Sequence, residues 1–207
     1  MTITTILVLL TGIISVQAFQ RPAYHKKLAH HPYSVYHNKE WYRLITAGFV
    51  HGSWAHLLIN MFVLWMFGER IELYYTQIWG PNFGRLYYIL VYLVTVFGAN
   101  IPSLLKHKDN PSYYSIGASG GVSGIVFIFI LFHPWEKLYL YFILPIYGIV
   151  AGILYLIYSH WASRRSNDNI DHSAHFYGAI LGMAFTVSLK PSLINLFIAR
   201  FMDGLPF

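Results

Sequence analysis

Six stretches of this chain contain no Asp, Glu, Lys or Arg: Met1–Gln20, Leu44–Gly68, Leu86–Leu105, Asn110–Trp135, Leu138–Ser163 and His172–Leu189. A helix that crosses the hydrocarbon layer needs about 20 mainly apolar residues, with a range near 17–25, and each stretch is long enough. Because lipid offers backbone groups no partner, the spanning segments must be helices or a closed barrel. Charged residues make up only 11% of the chain, against about 25% in soluble domains. Composition and pattern together predict an all-α polytopic membrane protein, a bundle of six transmembrane helices with short connections. It reads as a single domain over residues 1–207, with a core at about 40–190 and an interfacial tail at 191–207.

The net charge of +6 is scattered over loops, which suits contact with anionic lipid headgroups and not with nucleic acid. No basic stripe with interleaved stacking aromatics is present. The 17 Tyr and 6 Trp read mostly as interface anchors. With no cysteine, disulfides and thiol catalysis are excluded. Val16-Gln17-Ala18 resembles a small-residue cleavage site, but no Lys or Arg precedes the apolar run, so Met1–Gln20 reads as a first helix in preference to a signal peptide.

The fourth stretch opens on Gly117-Ala118-Ser119-Gly120-Gly121. Gly117 and Gly121, then Gly120 and Gly124, are four apart, the spacing that lets membrane helices meet backbone to backbone. The same glycines would leave room for a substrate carbonyl at the Ser119 hydroxyl, so packing and nucleophile readings both stand. His51, His56 and Asn60 lie in apolar surroundings, and His56 and Asn60, four apart, share a helix face. Polar groups at membrane depth are costly, which leaves an interhelical hydrogen bond or chemistry. On the last helix, expected from His172, His175 has Gly178 and Gly182 on nearly its own face, small enough to press on the glycines near Ser119. Asp171 or Ser173 is expected to cap its start.

Residues 21–50 are long for a connection, which marks them as functional or disordered, and Trp41, Tyr42 and Leu44 suggest a lobe lying on the membrane. The histidines there (His25, His30, His31 and His37) lack metal-ligand spacing and read as exposed loop residues. The second helix is expected over about 54–73, closed by Glu69, Arg70 and Glu72. The third, over about 86–105, carries no chemistry and ends near Pro102. The fifth, over about 138–158, is expected to be kinked or loosened by Pro145 and Gly148. The tail from Pro191 reads as a short interfacial helix, too short and too charged for a seventh span.

Ser119, a last-helix His175 and the His56/Asn60 pair make a set for acyl transfer. Ser119 would attack, His175 would take its proton, and His56, Asn60 and the Ser119 backbone N–H would stabilise the oxyanion. Gly117-Ala118-Ser119-Gly120, His56-x-x-x-Asn60 and Ala174-His175-x-x-Gly178, on the fourth, second and sixth helices, strongly resemble the rhomboid family of intramembrane serine proteases. The resemblance covers about residues 40–190. It implies a Ser119–His175 dyad without an obligatory acid, His56 and Asn60 at the oxyanion, and Gly117, Gly120, Gly178 and Gly182 in support. No metal or cofactor is implied, and the substrates would be transmembrane segments of other proteins with small or helix-destabilising residues near the scissile bond. Substrate would approach beside the second and fifth helices, with the loop 160–171 as a cap.

Two positions depart from the pattern: Tyr42-Arg43 stands where Trp-Arg is frequent, and Ser123 stands four residues after the serine, where many relatives have an aromatic. With that aromatic missing, something else must orient His175, and Asp171, one turn earlier, is one option beside its capping role. The alternatives are a catalytically inactive relative that binds transmembrane clients, and a transporter or proton channel using His56 and His175. The second predicts polar residues through many helices, and the third and fifth have none that are charged. Metalloproteases need His-Glu-x-x-His, and presenilin-like aspartyl proteases need Gly-x-Gly-Asp; both motifs are absent. The resemblance further implies a bacterial inner-membrane protein whose site opens to the extracytoplasmic side. That orientation places nine basic residues outside and five inside, the reverse of the positive-inside rule.

Overall fold

A computed structural model describes residues 1–140, 143–165 and 170–205. Each of the six charge-free stretches contributes to one main helix, the fourth a short one, and an all-α membrane bundle results. In chain order the elements are α1 (Ile3–Gln20), α2 (Pro22–Leu28), α3 (Pro32–His37), α4 (Arg43–Thr46) with a 3-10 turn at Ala47–Phe49, α5 (Trp54–Trp79), α6 (Pro81–Ala99), α7 (Ile101–His107), α8 (Ser119–Phe132), a hairpin of β1 (Lys137–Leu140) and β2 (Leu144–Tyr147), α9 (Gly148–Arg165), α10 (His172–Leu189) and α11 (Leu193–Asp203). By length and hydropathy, Ile3–Gln20 and Pro81–His107 can cross a membrane. Arg43–Phe49 with Trp54–Trp79 and His172–Leu189 with Leu193–Asp203 reach that length and hydropathy only as pairs, bent by 95° and 116°.

Helix α8 occupies the centre. Twelve of its fourteen residues are buried, whereas α9 turns Ile153, Leu154, Ile157, Tyr158 and Trp161 outward, the face of a helix that meets lipid. At 1.5 Å per residue, α8 spans about 21 Å, well short of a hydrocarbon layer of about 30 Å. A helix this short falls below the length of a full span, and its Phe132 end lies beside the polar groups of His133, Glu136 and Arg200. Its first residue is Ser119.

The core around α8 combines Leu64, Phe67 and Ile71 of α5, Tyr88, Val91 and Tyr92 of α6, and Ile125, Ile128 and Phe129 of α8 itself. Helix α1 joins through its first turn. The backbone N–H groups of Ile3 and Thr4 donate to the Glu72 carboxylate at 2.9 Å each, so a buried acid satisfies amides that no residue of α1 can reach.

Several boundaries differ from expectation. Helix α5 does not close at Glu69–Glu72 but runs to Trp79, because Glu72 points inward to cap α1 and costs the helix nothing. The third helix breaks at Asn100, whose Nδ2 donates to Leu44 O and Val96 O; Pro102 then falls in the first turn of α7, where a missing N–H is harmless. The fifth apolar stretch is not one helix from 138. Its first part is the antiparallel β1–β2 hairpin, so Pro145 sits in a strand and Gly148 begins α9 instead of kinking it. The loop expected as a cap, 160–171, is described only in part, since 166–169 lie outside the described residues. The tail forms α11, held by Leu193 in the core and by Trp135 Nε1–H donating to Phe201 O at 2.9 Å.

The segment 21–50 is ordered. Arg43 clamps it: Nη1 donates to Lys26 O at 2.8 Å and Ala29 O at 2.9 Å, and Nε donates to Glu40 Oε2 at 2.5 Å. That bond to guanidinium holds the Glu40 carboxyl below its usual range. Two of its histidines, expected to be exposed, are buried. His30 is fully buried and exchanges both backbone hydrogen bonds with Ser115, and His31 stacks on Tyr114 with ring centroids 4.1 Å apart.

Candidate active site

Ser119 follows a turn that requires glycine. Gly117 has φ +119°, a backbone that only glycine adopts without cost, and its N–H donates to Ala47 O at 2.9 Å. A side chain there would also strike the His56 ring, since a Cβ would lie 2.7 Å from Cε1 and 2.8 Å from Nε2. The bare Gly117 therefore lets His56, on the first turn of α5, lie beside the start of α8. As the first residue of α8, Ser119 contributes one of the amides that lack an intrahelical acceptor, at the positive end of the helix dipole.

His175 arrives from α10 along a seam without side chains. A Cβ on Gly178 would lie 2.2 Å from Gly120 O, and one on Gly182 would lie 2.6 Å from Gly124 Cα. Both obstacles are backbone, so the two helices touch at main-chain distance. One turn before Gly178, the seam brings His175 Nε2 to 2.7 Å from Ser119 Oγ. Both side chains are half-buried.

Asn60 is 7% exposed, and its Nδ2 donates to His56 O at 2.9 Å, one turn back on its own helix. It thus steadies the turn that carries His56. The His56 N–H is itself capped by Ser53 Oγ at 3.1 Å. Asp171 is the N-cap of α10: its Oδ1 accepts from Ala174 N–H at 3.0 Å.

Three residues at the site were not assigned to it from sequence. His51, fully buried, meets the His56 ring edge-on at 4.8 Å between centroids. Ser15 of α1 donates its hydroxyl to Phe49 O at 2.9 Å, which leaves its oxygen to accept from His51 Nδ1–H, also at 2.9 Å. His51 Nε2 then accepts the Ala118 N–H at 3.3 Å, directly before the serine. One tautomer of a neutral ring satisfies all three bonds. The third residue is Tyr155 of α9, whose ring lies nearly parallel to that of His175, at 18° with centroids 6.2 Å apart.

The fold is thus a helical membrane bundle that brings a half-buried serine at a helix start to a histidine on a neighbouring helix. Comparison with known sequences gives the family. The Rhomboid domain family profile matches residues 38–192, and the chain belongs to the rhomboid family. It is 33% identical over 162 residues to Rhomboid-like protein 11, chloroplastic, of Arabidopsis thaliana, covering 72% of this chain and 53% of that protein. It is 30% identical over 151 residues to RHOMBOID-like protein 12, mitochondrial, of the same plant, covering 66% of this chain and 43% of the relative. A Bacillus subtilis relative, YdcA, whose name proposes a rhomboid protease, is 26% identical over 143 residues, which is 68% of this chain and 63% of that one. The chain spans about half the length of these relatives.

Proposed function

We propose that this chain is an intramembrane serine endopeptidase that cleaves transmembrane segments of other membrane proteins. The observation that carries the reading is the 2.7 Å separation of the half-buried Ser119 Oγ and His175 Nε2. In the proposed reaction Ser119 Oγ attacks the scissile carbonyl carbon as its proton passes to His175 Nε2. The oxyanion takes hydrogen bonds from the Ser119 N–H and the His56 ring, with Asn60 contributing to the same pocket. Collapse breaks the C–N bond, and His175 returns the proton to the leaving amine. Water, deprotonated by His175, then releases the acyl group from Ser119.

A peptide bond inside a helix is hydrogen-bonded and shielded, so the substrate must unwind before attack. Segments with Gly or Pro near the scissile bond are the preferred class. The proposed setting is a bacterial inner membrane with the site open to the extracytoplasmic side, on which residues 21–50 and the loop before Ser119 lie. Protease access to a tag placed after Phe207 tests that orientation, and digestion from outside would reverse it.

The decisive assay reconstitutes the purified protein in vesicles with a transmembrane reporter. Ser119→Ala should abolish cleavage, by at least about 1000-fold. Retained cleavage by Ser119→Ala would refute the serine mechanism, and an inert wild type would favour a client-binding protein without catalysis.

A further inference from the structure

The general base needs an orienting group, and the position four residues after the serine offers only Ser123. The structure supplies a ring from elsewhere. Tyr155 of α9 stacks over His175, and its hydroxyl meets Ser123 Oγ at 2.5 Å. Ser123 is 7% exposed and sits one turn after Ser119 on α8, so the tether and the nucleophile belong to one helix face. The other side of Tyr155 is packed too: its ring lies 5.7 Å from that of Phe127 on α8. A second tyrosine–histidine pair joins the same two helices one turn along, in a different geometry. Tyr158, three residues on, meets His172 edge-on at 5.5 Å, three residues before His175.

The geometry points to Tyr155 as the positioning residue for His175, with Ser123 as its anchor on α8. This rests on the protease reading. Stacking fixes the plane of the imidazole, and the hydrogen bond fixes the plane of the tyrosine, so Nε2 stays aimed at Ser119 Oγ. A short residue at 123 is then required, because a larger side chain would enter the space of the Tyr155 hydroxyl. The base is therefore oriented from α9, a helix whose other face is turned outward. Displacing α9 from the bundle removes the ring from the base, so the dyad is competent only while Tyr155 is seated.

The test compares Tyr155→Phe, which keeps the ring, with Tyr155→Leu, which keeps apolar volume against Phe127 but no plane. Thermal unfolding in detergent establishes that each variant is folded. Cleavage of a transmembrane reporter gives kcat and KM separately, and the rate of labelling by a fluorophosphonate reports the reactivity of Ser119 without a substrate helix. Tyr155→Leu should lower kcat and the labelling rate together by about 10- to 100-fold, with KM within about twofold. Tyr155→Phe and Ser123→Ala should each lose about threefold or less, and combining them should cost no more than either alone, since they break one bond. A Tyr155→Leu enzyme that keeps the wild-type kcat and labelling rate, in a protein whose Ser119→Ala variant is dead, overturns the positioning role alone. A wild type that neither cleaves nor labels overturns the protease reading, and this inference with it.

Discussion

At His51 three hydrogen bonds depend on one proton position. Ser15 gives its hydroxyl proton to Phe49 O, so His51 must donate through Nδ1 and accept through Nε2 from the Ala118 amide. That amide is buried and precedes the proposed nucleophile, and leaving such a group unpaired costs roughly 1–3 kcal/mol. His51→Leu should therefore loosen the turn before Ser119 and lower kcat about 10- to 100-fold, while KM for a reporter changes little. Activity equal to wild type would show that the Gly117–Ala118 turn is held without it. The sequence marked His51 only as a polar residue in apolar surroundings and not as part of the site, because its partners come from α1 and from the α7–α8 loop, distant in the chain. Tyr155 was invisible for the same reason: 32 residues separate it from Ser123, and periodicity relates only neighbours on one helix. Ser119, His175 and His56 were legible because each is a polar residue beside glycine or within an apolar run.

Between helices, the α8–α10 seam makes a sharper demand than a small-residue motif alone conveys. A Cβ at Gly178 would overlap Gly120 O at 2.2 Å, and backbone in a packed helix cannot yield as a flexible side chain can. Gly178→Ala should push α10 outward, lower the unfolding midpoint in detergent by an amount corresponding to about 1–3 kcal/mol, and separate His175 from Ser119. Gly12→Ala on α1 is the control, since a Cβ there meets nothing within 4 Å and should leave the midpoint unchanged or slightly raised. Equal midpoints for the two variants would mean that the seam is looser than drawn. The glycine spacing announced this contact, but the same reasoning failed on the fifth stretch. An unbroken apolar window does not distinguish a helix from a hairpin, and Leu138–Tyr147, rich in tyrosine and branched residues, carried the strand preference that length alone concealed. The boundaries of the second and third helices were missed for another reason: Glu72 and Asn100 stop or extend helices only through partners on other elements.

Taken whole, the molecule fastens the segment 21–50 to the loop that presents Ser119. His30 and Ser115 exchange backbone bonds, His31 stacks on Tyr114, and Ala47 O receives the Gly117 amide, so this lobe holds the turn before Ser119 from outside the bundle. The lobe also gives the fold a sensitivity to acid. Burial holds the His30 imidazole down to about 4, against the nearby Asp171 carboxylate, which pulls the other way. An unfolded chain binds that proton near pH 6.5, so the folded state falls behind in protons as the pH drops. The stability that His30 leaves intact above pH 6.5 is therefore lost progressively between about 6.5 and 4, at most about 3 kcal/mol at one pKa unit per 1.36 kcal/mol. Hydrogen exchange of residues 22–49 should accelerate over this interval at constant intrinsic rate, with the Ser119 turn following. His30→Asn, which keeps a hydrogen-bonding side chain but cannot be protonated there, should flatten the dependence relative to wild type. If the two proteins respond identically between pH 7 and 4, protonation of His30 is not what loosens the lobe.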